Sequence, residues 1–426
     1  MTLSSQSIPQ MAAPATGRQF LRVYGMSDIH LNNHHRQEEK SELQHRPMVI
    51  QFLDEMIDEQ EREAGEIVLV LNGDIFDITN SWPVDVSPLA PEEKLAETIK
   101  NVLADIIDCN PEVMKRLRQL LVFPDTRIVY IVGNHDRWIN QPDLAQYLKQ
   151  ALGLPADSHR FEMSRRFYLP EIRLLALHGD EFDPACKPPA NNGLNRAERL
   201  DMIFLNGLLE RVCQRLKSLG YSEQTIRQIQ DAIQALDYVR PIHHALDYLY
   251  QRLDQLKQSP DNHGKRENVK QVVQDEILDA FAQALQDPDC SWVYKMATAL
   301  LIRFLSFRIG QRCLNFYISG ARKILRDRYQ LSCVRHLLET EESSKNIQLV
   351  YLGHTHRLLF QETTYFIGLQ GKSCLVMNAG GHKKTIFYPN PDEIFPAGMM
   401  AVVYDRSTQT MSANLETNTR RLFIGL

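Results

Sequence analysis

The sequence predicts an α/β fold interrupted by a long α-helical insertion. Apolar β-like runs alternate with amphipathic helical stretches in the first part of the chain. Each of those runs ends in a cluster of Asp, Asn or His. The middle of the chain then changes to helical periodicity, and strand texture returns near the C-terminus.

Residues 20–26 read as a buried strand that runs straight into Ser27-Asp28-Ile29-His30. The aspartate and histidine therefore sit at a strand's C-terminal end, where α/β folds place ligands. A helix follows from Pro47, with Val49, Phe52, Leu53, Met56 and Ile57 on one face and Gly65 just beyond its end. The unit repeats as strand 67–71 with Asn72-Gly73-Asp74, helical sequence from Pro91 to about Val122, and strand 127–132 with Gly133-Asn134-His135-Asp136. After a helix at 142–152, strand 172–177 ends in His178-Gly179-Asp180.

Residues 186–345 carry helical runs at 194–219, 224–256 and 269–285, and 258–265 reads as a loop between two of them. Strand texture resumes at 347–352, ends in Gly353-His354-Thr355-His356, and continues in β-like runs at 375–378 and 399–404. The chain therefore divides into a tail at 1–17, a discontinuous α/β domain at 18–185 and 346–426, and a helical insertion at 186–345. The insertion interrupts one domain and does not separate two.

Composition narrows the class. Over 426 residues, 43% are hydrophobic and 24% charged, which is ordinary for a globular protein and excludes a disordered or fibrous one. A net charge of -5 leaves no global electrostatic footprint for nucleic acid. The seven cysteines are scattered, with no zinc-ribbon or redox spacing, and suit free thiols in a reducing cytosol. The tail lacks the basic start and apolar stretch of a secretory signal. The most apolar segment, 296–325, is broken by Arg303, Arg308 and Arg312, against a membrane-spanning helix. A cytoplasmic protein is the expectation.

The strand-end clusters contain Asp28, His30, Asp74, Asn134, His178, His354 and His356. This mixture of oxygen and imidazole donors suits manganese, iron or zinc better than an all-oxygen calcium site. Hydrolysis of a phosphate ester needs charge neutralised on the phosphoryl oxygens, hydroxide formed near neutral pH and the departing oxygen stabilised. Two cations ~3.5–4 Å apart can do all three.

Taken in order, Asp28-Ile-His30, Gly73-Asp74-Ile-Phe-Asp77, Gly133-Asn134-His135-Asp136, His178 and Gly353-His354-Thr-His356 resemble the calcineurin-like metallophosphoesterase family. The resemblance covers about residues 20–184 and 346–405. It implies a metallophosphoesterase-type two-sheet sandwich flanked by helices, and two divalent metal ions, manganese first, with iron, zinc or a mixed pair compatible. It further implies Asp28, His30 and His356 on one metal, Asn134, His178 and His354 on the other, and Asp74 bridging. His135 would lie over the scissile phosphate, with Asp136 orienting its ring.

A narrower likeness, in residues 177–183, is to the UDP-2,3-diacylglucosamine diphosphatases, which cleave a lipid-linked pyrophosphate at the membrane surface. Those proteins are shorter and carry Gly-Asn-Arg-Asp where this chain has Gly-Asn-His135-Asp. A non-catalytic scaffold would show lost ligand positions, and none is lost.

Between Cys290 and Arg326 there are seven basic residues and no acidic one. On a helix from Phe307, Arg308, Arg312, Arg322, Lys323 and Arg326 share one face. That face is solvated, or Arg308 and Arg312 hold a second phosphate of the substrate, or the helix lies on an anionic membrane. His382, just after a strand, is a further candidate for the substrate side. The expected partner is a phosphorylated small molecule or a lipid-linked substrate, with any membrane contact made peripherally, at the inner face, through the insertion. His34, His35, His45, His243 and His244 suit a polar loop or a packed helix.

Overall fold

The structure is a computed structural model. It describes residues 18–33, 46–63, 65–79, 81, 92–182, 186, 207–235, 239–240, 245–256, 268–284, 327–340, 346–355, 358–367, 370–380, 386–387, 398–417 and 421–425.

The first sheet begins with β1 (Phe20–Met26), β2 (Glu66–Asn72), β3 (Thr126–Ile131) and β4 (Phe161–Ser164), all parallel. The helices α1 (Arg46–Arg62), α2 (Glu92–Cys109), α3 (Pro111–Leu120) and α4 (Pro142–Ala151) lie between these strands in sequence. C-terminal strands β12 (Gly398–Asp405), β13 (Thr410–Thr417) and β14 (Arg421–Gly425) extend the sheet antiparallel beyond β1. Its order is β14-β13-β12-β1-β2-β3-β4.

The second sheet has the order β5-β6-β8-β10-β9. Here β5 is Arg166–Leu169, β6 Leu174–Leu177, β8 Leu349–Leu352, β9 Leu358–Ile367 and β10 Gln370–Ala379. β6, β8 and β10 are parallel, with β5 and β9 antiparallel at the two edges. The mixed two-sheet α/β architecture is the one expected.

Side-chain alternation sorts each central strand between two cores. Tyr24, Met26, Ile67, Leu69, Leu71, Ile128 and Tyr130 face the helices. Leu21, Val23, Val68, Val70, Val129 and Ile131 meet the second sheet's Leu174, Ala176, Leu349, Tyr351 and Met377. Every residue of β2 is buried, as a central parallel strand covered on both faces requires.

The helical run expected from Pro91 to Val122 is two helices. Pro111 supplies no N–H and opens α3, while Asn110 takes a non-helical backbone (φ -124°, ψ 49°). The Asn110 side chain donates to Ile106 O at 2.6 Å and to Asn32 O at 3.1 Å. The break thus fastens the helix pair to the loop after β1.

In the stretch 186–345, α5 (Leu208–Ser218), α6 (Glu223–Gln234), α7 (Ala245–Leu256) and α8 (Val269–Ala284) share a core that includes Leu216, Ile229, Leu249 and Val272. The run expected at 224–256 is divided by β7 (Val239–Arg240), which pairs in parallel with β11 (Ile386–Phe387). Helix α9 (Asp327–Thr340) lies in the stretch assigned by sequence to the insertion, yet it packs Leu331, Val334 and Leu338 onto Leu175, Val350 and Val376 of the second sheet. The basic segment 290–326, with Arg308 and Arg312, lies outside the described residues. No helix among the described residues is long and apolar enough to cross a membrane.

The sheets approach closely at Gly25. A Cβ there would stand 2.5 Å from Tyr351 Cε1 and 2.9 Å from Met400 Cε. The Tyr351 ring, fully buried, leaves little room for a shift. Gly25→Ala is expected to destabilise the fold by about 1–3 kcal/mol through overpacking, read as a lower denaturant midpoint with an unchanged slope.

Candidate metal centre

The strand ends of both sheets meet at one pole. The loop after β1 hydrogen-bonds the loop after β2, with Asp28 N donating to Gly73 O at 3.0 Å, His30 N to Asp74 O at 2.9 Å and Leu31 N to Ile75 O at 2.8 Å. Gly353 N, after β8, donates to His178 O at 2.9 Å. Asn72 at the end of β2 ties the sheets together, its amide donating to Leu177 O at 3.1 Å and Tyr351 O at 3.4 Å.

The backbone is bent into an uncommon conformation here. Asp28, His30, Asp74 and His354 have φ of 52°, 52°, 53° and 68°. They are four of the seven non-glycine residues at positive φ among the described residues. Such conformations persist only where the surroundings over-determine them. Gly73 is at φ 80°, and a Cβ on it would run into the His178 ring. A Cβ on Gly353 would lie 2.8 Å from His178 Nδ1 and 2.9 Å from Asp28 Oδ2. Both glycines are required by how closely the rings and carboxylates pack.

Asp74 is the hub. Its Oδ1 accepts the His135 N–H at 2.8 Å, while Oδ2 lies 3.1 Å from His178 Nε2 and 3.9 Å from His30 Nε2. Asp28 accepts the His354 N–H at 3.0 and 3.1 Å, and His354 Nδ1 lies 2.9 Å from Asn134 Oδ1. Asp28, His30 and Asp74 form one group whose ligand atoms lie within 4.8 Å of one another, and Asp74, His178 and His354 form a second.

The His178 ring carries the clearest chemical signal. Its Nδ1 is 2.8 Å from the Asn72 carbonyl oxygen. A carbonyl only accepts, so Nδ1 bears the hydrogen, and Nε2 presents either a lone pair or a second proton. Nε2 is buried and forms no hydrogen bond, although it lies 3.1 Å from the Asp74 carboxylate. A lone pair facing an anionic oxygen at that distance calls for a positive charge between or upon them.

The titration behaviour agrees. Burial opposes charging His178, yet Asp74, with Asp28 and Asp180, raises its pKa well above the ordinary imidazole value. Burial likewise opposes ionisation of Asp74, but His178, His135 and His30 hold it well below the usual carboxylate range. Asp28 is pushed up, chiefly by burial. A buried imidazole nitrogen without a hydrogen bond, 3.1 Å from the Asp74 carboxylate and with further imidazole and carbonyl donors nearby, fits a divalent cation.

His135 is held differently. Its Nδ1 lies 2.8 Å from Asp77 Oδ1 and 2.6 Å from Thr79 Oγ1. The other oxygen of Asp77 lies 3.1 Å from His30 Nδ1. One buried carboxylate therefore sets two rings, which meet edge to face at 4.8 Å. The His135 side chain is 15% exposed, against 2% for His30.

The resemblance assigns the orienting role to Asp136, and the geometry corrects this. Asp136 Oδ1 accepts from Gly133 N at 2.6 Å, and Oδ2 from Ile75 N at 2.7 Å and Tyr130 OH at 2.6 Å. It braces the loop after β3 against the loop after β2 and does not face the ring. Burial, with the Asp74 charge adding, pushes its pKa up to about 6. Asp77 and Thr79 are the residues that reading for site chemistry overlooks. Asp77 closes the Gly-Asp-x-x-Asp motif, which was the available signal.

Of the sequence-derived candidates, Asp28, His30, Asp74, Asn134, His178, His354 and His135 are brought together here. His356 and His382 lie outside the described residues.

Comparison with known proteins agrees with this geometry. No curated protein gives a significant match to the chain. Residues 21–208 match the model of a family described as calcineurin-like phosphoesterase. That span carries Asp28, His30, Asp74, Asn134, His135 and His178 on the strand ends just described. Over residues 21–208 the chain is similar to the calcineurin-like phosphoesterase family.

Proposed function

We propose that the protein hydrolyses a phosphate ester or phosphoanhydride with two divalent cations, manganese being the first to test. The observation that carries this reading is His178 Nε2, buried and without a hydrogen bond beside the Asp74 carboxylate. Asp28, His30 and His356 would hold one cation, Asn134, His178 and His354 the other, with Asp74 shared. Such a pair neutralises phosphoryl charge and lowers the pKa of water.

The chain's own residues do the rest. Asp74 is kept ionised by its imidazole neighbours, so it can serve two cations at once. The Asn72 carbonyl holds His178 in the tautomer that leaves Nε2 for ligation. With Nδ1 turned to Asp77 and Thr79, His135 has Nε2 as its remaining ring nitrogen, and a proton there can pass to the departing oxygen. A lipid-linked nucleotide sugar is the narrower alternative substrate, and residues 177–183 alone support it.

Hydrolysis is tested with manganese-loaded protein against an aryl phosphate, a phosphodiester, a nucleotide-sugar pyrophosphate and single-stranded DNA. Binding of metal with no turnover of any of these would favour a scaffold instead. Asp74→Asn is expected to lose both metals and nearly all activity, checked by metal analysis of the purified variant. His135→Ala is expected to keep its metals and lose ~10²–10⁴-fold in kcat. Metal loss in that variant would show that the role of the ring is misassigned.

The protonation of His178 supplies a separate check. Its folded pKa lies above the ordinary 6.5, so in metal-free protein the charged ring stabilises the fold fully below that value. The contribution is lost as pH rises through the folded pKa. A cation at Nε2 must displace this proton. Manganese binding should therefore release a proton and tighten with pH from neutrality upward, seen as a buffer-dependent enthalpy in calorimetry. Identical enthalpies in two buffers of unequal ionisation heat would remove Nε2 from the ligand set.

A further inference from the structure

The chain passes from the first sheet to the second at the pole that holds the metal centre. β4 runs parallel to β3, and β5 antiparallel to β6, so the end of β4 and the start of β5 both lie at that pole. One residue, Arg165, makes the crossing between Ser164 and Arg166. Ser164 O accepts from Val132 N at 3.0 Å, two residues before Asn134. The Arg165 guanidinium reaches Asp180 Oδ2 at 3.3 Å, two residues after His178. Arg165 is thus bracketed by the loops that carry Asn134 and His178.

Its neighbour shows what a purely structural arginine looks like here. Arg166 engages both oxygens of Glu181, with Nε at 3.1 and 3.3 Å and Nη2 at 2.7 Å. Arg165 spends only Nη2, on one long contact, and its side chain is 35% exposed. Among the described residues, Asp180 is its only hydrogen-bond partner. Arg137, another guanidinium beside these loops, stacks on the Trp138 ring at 4.1 Å. Asp180 is itself buried, so it fixes one N–H of Arg165 Nη2 and leaves Nε, Nη1 and the second N–H of Nη2 for a ligand.

We propose that Arg165 is a specificity-determining residue that binds a second phosphoryl group of the substrate, next to the one cleaved. Because Asp180 takes one of the two Nη2 hydrogens, one edge of the planar guanidinium, Nη2 with either Nε or Nη1, still matches phosphate oxygens as a fork, which a lysine cannot reproduce. The substrate class this selects is a nucleoside diphosphate or a nucleotide-linked pyrophosphate over a simple monoester. The inference rests on the phosphoesterase reading above.

The test measures inhibition of p-nitrophenyl phosphate hydrolysis by ADP and by AMP, in manganese-loaded wild-type, Arg165→Ala, Arg165→Lys and Arg166→Ala proteins. Wild-type protein should bind ADP more tightly than AMP. Arg165→Ala should erase about tenfold of that preference, the scale of a lost charge-assisted fork, while raising KM for the aryl phosphate far less. Arg165→Lys should recover only part of the preference, because the charge returns without the fork. Arg166→Ala should lower the melting temperature and leave the ADP/AMP ratio as in wild type. Equal loss of ADP and AMP binding in Arg165→Ala, or a lowered melting temperature with the ratio intact, makes Arg165 a crossover brace and overturns the assignment. An active wild type with an unaltered ratio in Arg165→Ala overturns it alone, whereas a wild type that binds no manganese and cleaves no phosphoester brings down the parent reading.

Discussion

The Asp74 carboxylate is the interaction through which the two halves of the molecule depend on each other. It is buried, it is ionised, and its partners arrive from separate elements: His30 after β1, the His135 amide after β3 and His178 after β6. A buried anion is costly unless it is surrounded by donors or cations. The strand ends therefore have to converge, and the sheets have to face each other closely enough for His178 to reach a carboxylate of the first sheet. Asn72, which bonds carbonyls of both β6 and β8 from the end of β2, holds that approach in place.

Convergence of this kind bends the backbone. Four of the polar residues at the strand ends adopt positive φ, a conformation that side chains disfavour. The hydrogen bonds between loops sustain it, since Asp28 N and His30 N both reach carbonyls of the β2 loop. Strain and electrostatics thus favour the same arrangement only while the loops remain paired. The same carboxylate raises the pKa of His178 against the effect of burial, since Asp74 favours a positive group beside it.

Much of this was legible in the sequence because strand periodicity and polar punctuation coincide. The apolar runs of β1, β2 and β3 in the first sheet and of β6 and β8 in the second stop just before chemistry-bearing residues, so these strand ends and six of the seven expected ligands could be located before their contacts were known. The breaks inside helical runs were harder to read. Pro111, which ends the preceding helix, follows helical sequence without a change in apolar pattern, and the bond from Asn110 to Asn32 then fastens the break to the loop after β1. β9 was hidden because its exposed residues mix polar side chains, such as Gln361, Glu362 and Thr364, with the apolar Phe366. Helix α9 has the same texture as the insertion helices, and only its packing on Val350 and Val376 allies it with the sandwich.

The exchange of roles between Asp77 and Asp136 shows where sequence reasoning must stop. Both are acidic, both are buried, and both stand beside a residue of the centre, Asp136 directly after His135 and Asp77 three residues after Asp74. Adjacency favours Asp136 for the His135 ring. The backbone decides otherwise: Asp74 turns through φ 53°, and Asp77 N then donates to Leu31 O at 2.8 Å, which brings its carboxylate back between His30 and His135. Asp136 is turned inward by Gly133, Ile75 and Tyr130, three donors that satisfy both its oxygens. A carboxylate so occupied has little capacity left to orient a ring. The distinction lies in which donors the fold delivers to each acid, a tertiary property that no local spacing encodes.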